Sequence, residues 1–263
     1  SYATGAIGAI NTFGGVLAHN EGITFRDFTF DGNGQATLAA YNPAIVNVWF
    51  IPFIANQSGT APAHKTKFRD LDIIDSGGHA WETAFVDSIT AIGLTAQGHN
   101  GMGPGQGQNH VVSAVSSRDA HDSHFYTNGA NNVVLNALIA DTNVGGGGVD
   151  LAGGRNLIVS SVVSKDASGP AVWALKSPNN FIALKNALIS NVISDNASKS
   201  PVTGGAILIG DYNKPTEAGQ GEDVFVTSNL IDVGNDSTFN NAVDVYKGVD
   251  RVVTANNHLT GRR

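Results

Sequence analysis

Asn109 to Asp119 reads NHVVSAVSSRD, and nearly the same pattern returns at Asn132 (NVVLNALIADT), at Asn156 (NLIVSSVVSKD) and, more loosely, at Asn186 (NALISNVISDN). Each copy is a β-branched run closed by a polar turn, and after each comes a second short run: HFYTN from His124, GVDLA from Gly148, AVWAL from Ala171, GAILIG from Gly205 and AVDVY from Ala242. A unit of roughly two dozen residues with two or three short strands and no helical period cannot bury its apolar face alone; it must stack on its neighbours. Coils stacked in register form parallel strands about 4.8 Å apart. The expected fold is an all-β, right-handed parallel β-helix, the hand following from the usual right-handed crossover. Earlier runs agree, with FRDFTFD at Phe25–Asp31, FRDLDIID at Phe68–Asp75 and ITAIGLTA at Ile89–Ala96.

A solenoid lengthens along its axis, so residues 1–263 read as one domain. Loop insertions are expected near residues 32–63 and 194–204, where the coil pattern lapses, and the Gly-rich His99–Gln108 (HNGMGPGQGQ) reads as a flexible turn. Gly supplies 32 of 263 residues and charged residues only 14%, which suits a fold that turns tightly in every coil. The absence of cysteine excludes disulfides and Cys-ligated metals. A net charge of −7 without a basic block argues against nucleic acid as a partner. The longest apolar stretch, Ala44–Ala55, is too short to span a bilayer. The chain begins at Ser1 and shows no capping helix over its open strand edges, so it reads as a piece of a longer or processed protein.

Strand alternation sorts the second runs into faces. Phe125, Val149, Val172, Ile207 and Val243 fall in one column and Thr127, Leu151, Ala174, Ile209 and Val245 in another; both are expected to point inward. Tyr126, Asp150, Trp173, Leu208 and Asp244 then point outward, and Glu82 joins their row further up. Beside it, the turn RDAHDSH supplies Arg118, Asp119, His121, Asp122 and His124, the densest titratable cluster in the chain. Histidine exchanges protons near neutral pH and a carboxylate can orient it. A metal on His121 and His124 would lack the helical spacing that fixes a zinc site. Gly145–Asp150 (GGGGVD) matches one unit of a calcium-binding roll, but a single copy cannot build that site. No cofactor is assigned, and calcium alone stays open. Tyr126 and Trp173 would stack sugar rings along a groove about 30–45 Å long.

The coil pattern, the segment GITFRDFTFDGNG at Gly22–Gly34 and the repeated Asn-led turns resemble the pectate-lyase-like β-helix superfamily of polysaccharide lyases, mannuronan C5-epimerases, β-helical glycosidases and phage tailspikes. The turn Asp119–Ser123 (DAHDS) is similar to the acidic-Pro-His-acidic motif of the alginate epimerases, with Ala120 in place of proline. The NTD and RIK motifs of the polygalacturonases do not appear. The resemblance implies a secreted, extracellular or virion-surface protein acting on a polysaccharide, foremost a lyase or C5-epimerase of a uronate polymer. His121 or His124 would be the base and Tyr126 the acid. Arg118, Arg155 or Lys176 would neutralise the substrate carboxylate, Asp150 would orient the base, and Glu82, Asp122 and Trp173 would complete the binding surface. Two other readings stand beside it. One is a glycoside hydrolase that pairs Asp150 with Asp122 or Glu82; Glu82, three coils or roughly 14 Å away, is too distant to be that partner. The other is a non-catalytic adhesin or fibre shaft, a homotrimer if tailspike-like.

Overall fold

The computed structural model describes residues 7–14, 24–31, 50–57, 63–76, 79–84, 86–143, 146–177, 181–195, 205–211, 219–232 and 241–260. Its strands form two large sheets in which every pairing is parallel. The first stacks Ile7–Gly14, Phe50–Gln57, Trp81–Ala84, Met102–Pro104, Phe125–Asn128, Val149–Ala152, Val172–Leu175, Gly205–Ile209 and Asn241–Val245. The second passes through Thr24–Asp31, Lys67–Ile74, Thr90–Ile92, Gly107–Ala120, Ala130–Asn143, Gly154–Lys165, Leu184–Asp195, Gly221–Thr227 and Val249–Ala255, with short flanking strands beside this path. Consecutive strands of one sheet are separated in sequence by a strand of the other, so each coil gives one strand to each face. This is a parallel β-helix, and no helix occurs among the described residues.

The inward columns are those that alternation predicts. Phe125 pairs with Val149, Val149 with Val172, Val172 with Ile207 and Ile207 with Val243, while Thr127, Leu151, Ala174, Ile209 and Val245 align two positions on. The first four members of each column are buried, and Trp81 and Met102 extend the first column upstream. Val245 is 42% exposed because Asn241–Val245 is the last strand of its sheet and nothing stacks beyond it among the described residues.

Corners of the coil are marked by left-handed residues in register. Lys65, Ser88, Asn109, Asn132, Asn156, Asn186, Asp223 and Arg251 form one such column with φ between 52° and 63°. Asp27, Asp70, Gly93, Ala114, Ala137, Ser161, Asn191, Ser228 and Asn256 form a second, and Asp75, Gly98, Asp119, Thr142 and Asp166 a third. A side chain in this conformation costs about 1–2 kcal/mol, least for Asn and Asp, whose short polar groups bond locally. The asparagines that open the sequence repeats recover part of that cost from each other. Asn132 Nδ2 donates to Asn109 Oδ1 at 3.0 Å, Asn156 to Asn132 at 2.9 Å and Asn186 to Asn156 at 3.1 Å.

Strands occur within two stretches expected to be irregular. Phe50–Gln57, inside the anticipated 32–63 insertion, is a strand of the first sheet in register with Ile7–Gly14 and Trp81–Ala84. The rest of that insertion up to residue 62, and residues 196–204 of the second, lie outside the described residues. The Gly-rich His99–Gln108 is a coil like its neighbours, placing Met102–Pro104 in the first sheet and opening the next strand of the second at Gly107. Its glycines serve close stacking: a Cβ on Gly103 would collide with the Tyr126 carbonyl.

Candidate active site

Along the outer face of the first sheet, register aligns Glu82, Gly103, Tyr126, Asp150, Trp173, Leu208 and Asp244. Because Gly103 has no side chain, Glu82 faces Tyr126 across an open coil. The groove is closed at Leu208, which is buried although its position points outward. Between Glu82 and Asp150 lies a cleft of about 210 Å³ lined by His79, Glu82, Asp122, Tyr126 and Asp150, with the amides of Asn100 and Asn128 at its sides.

Two groups of side chains furnish it. In the first, His79 Nδ1 lies 3.0 Å from the Tyr126 hydroxyl and 3.3 Å from Glu82 Oε2, and its ring tilts against the Tyr126 ring at 5.1 Å. These contacts form a chain along which a proton can pass between imidazole, phenol and carboxylate. The second is Asp150 with Asp122. Asp150 is half-buried as a residue, but its Oδ1 is cut off from solvent and has no hydrogen-bond partner. Burial, and then the negative charge of Asp122, raise its carboxyl to about 7. Asp122 itself is exposed, with Oδ1 accepting from the Ser123 N–H at 2.9 Å.

The Asp122 turn is built from below. Asn143, on the strand of the second sheet that precedes the next coil, donates through Nδ2 to the Asp122 carbonyl, while its Oδ1 accepts from the Gly146 N–H at 2.5 Å and the Ser168 hydroxyl at 3.1 Å. Gly146 packs directly beneath the turn; a Cβ there would lie 2.5 Å from Ser123 N and 2.6 Å from the Asp122 carbonyl carbon. The described part of the GGGGVD run is thus a close-packing element under Asp122. Among the described residues no three His, Asp or Glu side chains are arranged to hold a metal ion.

The remaining candidate residues divide clearly. Tyr126, Asp150, Asp122 and Glu82 come together in the cleft, and Trp173 lies one coil beyond Asp150 with its Nε1 donating to the Gly210 carbonyl at 2.9 Å. His124, read as an accessible base, is fully buried. Its Nδ1 sits 2.6 Å from Ser117 Oγ, which lies 2.8 Å from Nε2 of buried His99, whose Nδ1 accepts from the Gly101 N–H. Desolvation holds His124 down at about 4 and, with the charge of His124, His99 at about 3. A neutral imidazole sealed inside the coil cannot reach a polymer. His121 is exposed on the turn but does not line the cleft.

Arg118 and Arg155 lie on strands of the second sheet, not at the groove; Arg118 donates to Gln97 Oε1 at 2.6 Å and pairs with Asp119 at 3.5 Å. Lys176 follows a strand of the first sheet and lies over the Phe181 ring at 5.7 Å. His79 and Asn143 are functional neighbours that sequence reasoning missed. His79 lies outside any strand and Asn143 at the last position of Ala130–Asn143, where period-2 alternation carries little information.

No protein-family model matches the chain, and no curated protein matches it in sequence. Among solved structures, the endo-xylogalacturonan hydrolase of Aspergillus tubingensis superposes over 97% of this chain and 73% of its own, with a TM-score of 0.67 at 13% identity. The shared fold is a parallel β-helix. The A-module of an Azotobacter vinelandii mannuronan C-5 epimerase aligns over 91% of this chain and 70% of its own at 11% identity, with a TM-score of 0.46. These likenesses concern the fold, and the cleft on the first sheet is the candidate site of this chain.

Proposed function

We propose that this chain is a carbohydrate-active enzyme that hydrolyses a polysaccharide, with Asp150 as general acid and Asp122 as its basic partner. The observation that carries this reading is the position of Asp150 in the cleft, with Oδ1 unpartnered beside the charge of Asp122, so that it keeps its proton to about pH 7. Paired carboxyl groups pushed to different protonation states are the working parts of glycoside hydrolysis. Asp150 gives its proton to the glycosidic oxygen as the bond to the anomeric carbon breaks, and Asp122 takes a proton from the water that attacks that carbon. Trp173 and Tyr126 supply aromatic faces for neighbouring sugar rings. Asp150→Asn and Asp122→Asn should each lower the release of reducing ends by about a hundredfold or more, with the circular dichroism spectrum retained and cooperative melting at no lower a temperature. Full activity in both variants would remove the assignment.

The lyase or C5-epimerase reading retains one supporting observation, the Tyr126–His79 hydrogen bond, which could move a proton on and off a sugar carbon. It now uses His79 in place of His121 or His124, and among the described residues no Arg or Lys lines the cleft to stabilise an enolate. An unsaturated uronate product, detected by its ultraviolet absorbance, would favour it over hydrolysis.

A further inference from the structure

The distribution of charge around the cleft constrains the polymer it accepts. Of the fifteen Lys and Arg in the chain, all but Lys199, Lys214, Arg262 and Arg263 lie among the described residues. Of these, every one except Lys65, Lys176 and Lys247 belongs to a strand of the second sheet. Several are engaged there: Arg251 binds Asp223 and Glu222, and Lys185 binds Glu222. Lys65 precedes a second-sheet strand, while Lys176 and Lys247 follow first-sheet strands, and none of the three lines the cleft. Among the described residues the ionisable groups that do line it are His79, the Tyr126 phenol and three carboxyl groups, Glu82, Asp122 and Asp150, with Asp244 in the same outward row further along.

We infer that the substrate is an uncharged polysaccharide rather than a uronate polymer, a conclusion that rests on the hydrolase reading above. A uronate chain would carry a carboxylate on successive sugars past Glu82 and Asp122. Two like charges about 5 Å apart at an effective dielectric near 20 repel strongly enough to cost about a hundredfold in binding. Among the described residues no Lys or Arg lines the cleft to offset that repulsion. Neutral sugars meet what the cleft does offer: carboxylates and the Asn100 and Asn128 amides to bond hydroxyl groups, and the Tyr126 and Trp173 rings to cover the apolar face of a pyranose. Glu82 and His79, two coils from Asp122, would then bind the hydroxyls of a neighbouring sugar, making Glu82 the residue that excludes a carboxylate there.

The test measures reducing ends released by the full chain from neutral polymers (galactan, arabinan, xylan) and from polygalacturonate and alginate, together with binding of the inactive Asp150→Asn protein to the same panel. At least one neutral polymer should be cleaved about a hundredfold faster than either uronate polymer, with the same preference in binding. Glu82→Gln should narrow the gap by about tenfold by improving the uronate side. Faster cleavage or tighter binding of a uronate polymer would overturn this inference while leaving the hydrolase reading intact. Failure to release reducing ends from any polymer would overturn both.

Discussion

A carboxyl group that keeps its proton to about pH 7 links the activity of this protein to its stability through one residue, Asp150. As a general acid it works only while protonated, so kcat/KM should fall as pH rises through about 7. Stability follows the opposite logic to that of a salt-bridged aspartate. The unfolded chain releases this proton near 3.8 and the native chain near 7, so between those values the native state binds more protons and stability drops as pH rises. Above pH 7 the folded protein carries a buried, unpartnered charge. Asp150→Asn should therefore raise the melting temperature at pH 8, by about 2–4 °C per kcal/mol recovered, and change it little at pH 4. A variant less stable than wild type at pH 8 would show that Asp150 is not the destabilised group. Asp150, Tyr126 and Trp173 were legible in the sequence because they alternate with buried residues in three successive coils. His124 was misplaced because it lies in the turn ahead of its strand, where the inside-outside pattern has not begun. His79 escaped notice because the coil brings it to Tyr126 from 47 positions away.

Each coil is held by its corners as much as by its core. The left-handed asparagines at 109, 132, 156 and 186 open the sequence repeats, and their side chains bond up the stack. Asn132 accepts from one neighbour and donates to another, so Asn132→Ala breaks two exposed ladder bonds and places a methyl group in a conformation it disfavours. The expected loss is about 1–2 kcal/mol in urea unfolding, against about a few tenths for an exposed substitution elsewhere such as Val111→Thr; equal losses would deny the ladder any role. Gly146→Ala should cost more and should also lower turnover, because its Cβ would displace the turn that carries Asp122. The repeat and the inward columns were readable because a period of two, carried at constant register, is a property of the strands. The regular coil within His99–Gln108 was not, because glycines required for close stacking look the same in sequence as glycines in a loose turn.

Across the whole molecule, buried histidines set the acid limit. His99, His110 and His124 are sealed in the interior, where desolvation lowers them to about 3, 4 and 4. The unfolded chain takes up these three protons near 6.5 and the folded chain does not, so their contribution is present above that pH and is lost on acidification. Asp150 gains a proton in the native state over the same range and offsets one of the three. The net slope is about 2 kcal/mol per pH unit near pH 5, and unfolding midpoints should fall steeply between pH 6.5 and 4; a flat profile there would contradict the burial of these imidazoles.

The described cations are concentrated on strands of the second sheet, where most of the described carboxylates also lie, whereas the groove face of the first sheet presents Glu82, Asp150 and Asp244. The central claim, that the Asp150–Asp122 pair hydrolyses a glycosidic bond, is tested most directly by the mass of the products formed in heavy-oxygen water. The account predicts saturated products in which each cleavage has added one water, its heavy oxygen entering the new reducing end and not the new non-reducing end. Fragments lacking that water and carrying a double bond would contradict it.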